Sequence, residues 1–116
     1  MRTPIRTGNL LSPLPLPGPE EHFAPLLTRP GLRLERIVSH LHASPPDFWY
    51  EQAEDEWVLL VQGEAELGFD DGSLLALRPG DHLLIPAGCR HRVARTGRDT
   101  VWLALHVTPD TATCDS

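Results

Sequence analysis

Turn chemistry sets the limits on this chain. Gly63, Asp71-Gly72, Arg78-Pro79-Gly80-Asp81, Pro86-Ala87-Gly88 and Gly97 follow one another at short intervals, and past Pro30-Gly31 no helix signal survives among them. The pieces between the turns are rich in Val, Leu, Ile and Trp. They read as strands over about 32–42, 47–51, 56–62, 65–70, 73–78, 82–86, 90–95 and 100–108. Asp71-Gly72 is a hairpin signal, and Arg78-Pro79-Gly80-Asp81 suits a turn with Pro second and Gly third. Eight short strands in 116 residues predict one all-β domain, closed as a jelly-roll barrel.

The phase of two strands bears on partners. Trp57-Val58-Leu59-Leu60-Val61 and Val101-Trp102-Leu103-Ala104-Leu105 are apolar on both alternating faces, so both faces need cover. One face fits the barrel lumen. The other predicts a homodimer, an N-terminal segment laid over the sheet, or both.

Residues 1–30 read differently. Pro13, Pro15, Pro17 and Pro19 predict an extended Pro-rich arm. Pro19-Glu20-Glu21 opens a short helix on the usual pattern of Pro and acids in the first turn, and Pro30-Gly31 ends it. The expected division is therefore an arm with a short helix over 1–30, the barrel over 31–108, and a flexible tail over 109–116.

Charge excludes some functions. The net charge is −6 and all ten basic residues are Arg. An acidic chain lacks the basic footprint of a nucleic-acid binder, and a chain without Lys forms no Schiff base and no P-loop. Cys89 and Cys114 make no C-x-x-C pair. No run of about 20 apolar residues spans a bilayer and no unbroken secretory signal is present. A cytoplasmic protein without nucleic-acid or membrane partners is the expectation.

One motif carries chemistry. Gly80, five residues, Pro86, one residue, Gly88, two residues and His91 form G-x5-P-x-G-x2-H. This resembles the second motif of the cupin superfamily, whose following Asn is replaced here by Arg95. Glu56, six residues and Gly63 match the end of the first cupin motif, while Tyr50 and Gln52 stand where the family has two histidines. The blocks around Arg36-Ile37-Val38-Ser39, Phe48-Trp49-Tyr50-Glu51-Gln52, Ile85-Pro86-Ala87-Gly88 and Arg90-His91-Arg92-Val93 are similar to those of small stand-alone cupins.

The resemblance implies a double-stranded β-helix whose lumen holds a divalent transition metal (Fe, Mn, Zn or Ni) on His and Glu side chains. Carried over, it gives His91 and Glu56 as ligands, with Gln52 offering a neutral carbonyl oxygen. His106 shares a strand face with Trp102 and Ala104, so it joins the set if that face is the lumen. His42 is a further candidate. Tyr50 and Arg95 are expected to meet the substrate, Arg95 because it alternates with His91 and Val93 and suits an anionic group. The alternative for these arginines is pairing with the acid-rich run 51–71 across the sheet. The implied function is a metal-dependent enzyme on a small polar or anionic substrate, of oxygenase, isomerase or lyase type. The alternative is a metal-free cupin that binds a small molecule without catalysis.

Overall fold

The computed structural model describes residues 3–109. Eight strands form in chain order: β1 His22–Arg29, β2 Leu32–Ser39, β3 Asp55–Gln62, β4 Ala65–Phe69, β5 Leu74–Leu77, β6 His82–Ile85, β7 His91–Thr96 and β8 Thr100–Val107. They make a five-stranded sheet ordered β1-β2-β8-β3-β6 and a three-stranded sheet ordered β5-β4-β7. Every pairing is antiparallel. This is the expected all-β jelly roll.

Period-two patterning builds the core between the sheets. Val58 and Leu60 of β3, Trp102 of β8 and Ile85 of β6 meet Ala65 and Leu67 of β4 and Leu77 of β5. Gly63 makes the β3–β4 reversal possible. Its φ is +90°, and a Cβ there would lie 2.5 Å from Thr100 Oγ1 and 2.7 Å from Thr100 Cα, so no other residue fits.

The expected N-terminal helix is not there. Residues 22–29 form β1, the edge strand of the larger sheet. Pro30-Gly31, read as a helix stop, is the turn of the β1–β2 hairpin, with Gly31 at φ +75° and Arg29 paired with Leu32. Pro at the second place and Gly at the third of a tight turn serve a hairpin as well as they end a helix. Pro25 is tolerated because β1 is an edge and its register slips between Pro25 and Leu27.

Residues 3–21 carry no helix or strand, and part of the segment is tied to the barrel. The Arg36 guanidinium donates to the carbonyls of Leu10 and Pro13, at 3.4 and 3.0 Å. The rings of His40 and His42 donate to the carbonyls of Pro15 and Gly18, at 3.2 and 2.8 Å. The expected tail, 109–116, lies outside the described residues except for Pro109.

The strand expected over 47–51 is an irregular segment. A turn closed by the Phe48 N–H on the Pro45 carbonyl at 3.0 Å takes up its start, yet the segment still covers the edge of β7. Ser44 N donates to Val93 O at 2.8 Å, and Tyr50 and His91 exchange two backbone bonds of 2.7 and 3.0 Å. Among the described residues no helix is long and apolar enough to cross a membrane.

Candidate functional site

The inward face of the larger sheet is apolar at one end and polar at the other. Leu60 pairs with Trp102 and Val58 with Ala104, both within the core; the next pair along is Glu56 and His106. Across β8, His106 also pairs with Arg33 of β2, and Ala104 with Glu35. Strand alternation therefore brings four polar residues to one end of the lumen. Glu56 is 9% exposed and His106 2%.

His91 reaches the same place from the smaller sheet. Gly88, at φ +83°, turns the chain after Pro86, and its N–H donates to Gln52 O at 2.8 Å. Ala87 N donates to Asp55 Oδ1 at 2.8 Å, which fixes the turn to the start of β3. The Tyr50 ring stacks on the His91 imidazole with centroids 5.5 Å apart.

His91 Nε2 lies 3.3 Å from Glu56 Oε1, and His106 Nε2 lies 3.8 Å from Glu56 Oε2. One buried carboxylate thus stands between two imidazoles from different sheets. His91 Nδ1 is 3.1 Å from the Cys89 carbonyl, which takes that N–H and turns Nε2 into the lumen. Burial pulls the His91 pKa down, but the hydrogen bonds to Glu56 and to Cys89 O and the Glu56 charge outweigh it, so the net shift is upward. His106 Nε2 also lies 3.3 Å from Glu35 Oε1, while its Nδ1 has no hydrogen-bond partner.

These groups line a cavity of about 240 Å³ together with Glu21, Tyr50 and Gln52. Gln52 Oε1 is buried without a hydrogen-bond partner. Burial, then Glu21, then Glu56 push the Tyr50 hydroxyl above its ordinary value. It stays a neutral hydrogen-bonding group, not a phenolate.

The lumen therefore brings together His91, Glu56, Gln52, His106 and Tyr50. It does not hold Arg95 or His42. Arg95 follows a β-bulge: Val93 pairs with Leu67 and Arg95 with Glu66, with Ala94 between them unmatched. The extra residue reverses the strand phase. Arg95 turns outward, its side chain half exposed and 3.0 Å from Glu64, as the cross-sheet pairing alternative has it. His42 lies past the end of β2, where Nδ1 accepts from His40 N at 2.8 Å and Nε2 holds the Gly18 carbonyl. Sequence reasoning missed Glu35, Glu21 and Arg33. Glu35 and Arg33 alternate with Ile37 on β2, so period two, applied to that strand, could have found them.

The donor set suits a divalent cation in kind: two imidazoles, a carboxylate and an orphaned amide oxygen. The Cys89 carbonyl on Nδ1 is the kind of outer support that orients a metal-ligating histidine. Among the described residues, no group of three or more His, Cys, Asp or Glu is arranged to hold an ion as it stands.

An antiparallel jelly roll with an imidazole–carboxylate site at one end of its lumen defines the class. The chain belongs to the cupin domain family, whose model matches residues 37–107. A protein from Ralstonia eutropha JMP134, provisionally named a mannose-6-phosphate isomerase, is 47% identical, with 90% of this chain and 100% of that one covered and a TM-score of 0.87. A cupin superfamily protein from Desulfitobacterium hafniense DCB-2 is 20% identical over 90% of this chain and 92% of its own, with a TM-score of 0.75. Polyketide synthase CurC from Streptomyces cyaneus is 29% identical over 100 residues, 86% of this chain and 56% of CurC. The chain thus spans little more than half the length of that curated relative.

Proposed function

We propose that this cupin holds a divalent transition metal (Fe, Mn, Zn or Ni) on His91, His106 and Glu56, with Gln52 beside them, and acts on a small polar molecule in the lumen. The observation that carries this is the single buried carboxylate bracketed by two imidazoles. When bound, the ion would supply Lewis-acid polarisation of a ligand oxygen. The chain's own residues do the rest. Cys89 O fixes the His91 tautomer, and Tyr50 offers a neutral hydroxyl to the ligand. Val58, Ile85 and Trp102 wall the cavity's inner end and limit water there. The identity with the Ralstonia eutropha protein supports an enzyme of isomerase type. Elemental analysis of protein expressed in metal-replete medium tests the reading. Transition metal near one equivalent, lost in His91→Ala, supports it; metal near zero in both overturns it.

A second reading has its own support. His91 and Glu56 touch directly, and such a pair can share a proton without an ion. The cupin then binds a small molecule through Glu56, His91, Tyr50 and Gln52 alone. Ligand-induced thermal stabilisation that persists in chelator favours this reading.

We further propose a homodimer through the outer face of the larger sheet. Leu27, Leu34, Leu105, Trp57 and Leu84 stand in cross-strand register from β1 to β6. The row is roughly 20 Å wide at ordinary strand spacing, and Leu84 is 61% exposed. An apolar band of that width, running across a whole sheet, suits a second copy of the same sheet.

A further inference from the structure

The charges around the cavity determine what can enter it. Glu21, Glu35 and Glu56 line it, with Arg33 as the guanidinium among them. Arg33, its side chain 40% exposed, shares its charge with Glu54, its Nη1 lying 3.4 Å from Glu54 Oε1. Arg92, on the site-bearing strand, donates to Ser44 O at 2.9 Å, and Arg95 faces outward. Three lumenal carboxylates outnumber the one guanidinium, so the lining carries net negative charge. Glu21 is held in place: it accepts from Ser39 Oγ, which itself accepts from Trp102 Nε1 at 3.1 Å.

The uncommitted hydrogen-bonding capacity points the same way. Gln52 Oε1 is a buried acceptor without a donor, whereas His106 Nδ1 faces the Glu54 carboxylate at 3.9 Å. Buried acceptors need donors from a ligand. A phosphate or carboxylate would bring more acceptors and more negative charge to carboxylates that already repel it. The volume, about 240 Å³, falls below the roughly 300–1,000 Å³ of drug-sized pockets, which limits the ligand to about one sugar ring.

Resting on the reading of this cavity as a ligand site, we infer that it takes a small molecule rich in hydrogen-bond donors and without an anionic group. An uncharged polyol or free sugar, or a small amine, has that chemistry; phosphate esters and carboxylates are excluded. On this inference the chain does not share the sugar-phosphate substrate in the name of its Ralstonia eutropha relative.

Calorimetric titration of the full-length protein tests this, once metal-loaded and once in chelator, with mannose, mannose 6-phosphate, ethanolamine and glycolate. Mannose or ethanolamine is expected to bind at least about tenfold tighter than its anionic counterpart, and which of the two binds separates polyol from amine. Glu35→Gln is expected to narrow the gap, with Glu21→Gln as the second variant should the first fail to fold. Anions binding as tightly as their uncharged or cationic partners, or none of the four compounds binding, overturns the inference. A preference seen in both forms leaves this inference standing even where elemental analysis of the untreated protein, finding metal near zero, removes the metal reading.

Discussion

His91 Nε2 and Glu56 Oε1 are 3.3 Å apart although their strands belong to different sheets. The contact joins the two sheets at the polar end of the lumen, and the first two predictions follow from it.

Removing either partner should empty the site. In metal-replete expression, His91→Ala and Glu56→Gln should each lower bound transition metal by more than about tenfold. Inductively coupled plasma mass spectrometry reads the loss, and far-UV circular dichroism should show the sheets intact.

Metal-stripped protein should lose stability as pH rises. The folded state holds the His91 proton more tightly than the unfolded chain does. Its contribution is therefore complete below the ordinary imidazole value of about 6.5 and is lost as pH climbs through the raised folded value. The thermal midpoint measured in chelator should fall over that window. Glu56→Gln should flatten the slope, because the carboxylate supplies much of the upward shift.

Gly63→Ala should destabilise the barrel by more than about 2 kcal/mol, since the new Cβ meets the Thr100 backbone at 2.7 Å and the backbone stands at positive φ. Urea denaturation measures this. Gly72→Ala, also at positive φ but with nothing within 4 Å, should cost less.

Trp57→Glu or Leu84→Arg should convert a dimer to a monomer. Sedimentation equilibrium reads the mass, and the site is expected to keep its metal because both side chains face away from the lumen. A wild-type protein that sediments as a monomer at high concentration would remove the proposed interface.

Much of this was legible in residue order, and the failures have physical causes. The Gly80–His91 spacing identified the turn that delivers His91, and the alternation of Trp102, Ala104 and His106 placed His106 in the lumen. Arg95 was misplaced because a bulge at Ala94 leaves no mark in a period-two reading. His42 was misplaced because β2 stops at Ser39, a boundary set by where pairing with Thr100 ends. The helix expected before residue 30 rested on Pro and acids near Pro19, signals that β1 overrides by pairing with β2. Glu35 shares the inward face of Ile37, a period-two signal; only the pairing of β2 with β8, which sets Glu35 3.3 Å from His106, lies beyond a linear reading.

Arg36, His40 and His42 hold residues 10–18 entirely by main-chain oxygens. A clamp of that kind does not recognise side-chain identity. The exposed positions of the covering segment can therefore be rewritten in evolution, one residue at a time, while the half-buried Leu10, Leu14 and Pro15 stay apolar. The three gripping side chains do not have that latitude, and close homologues should keep them while the segment they hold diverges.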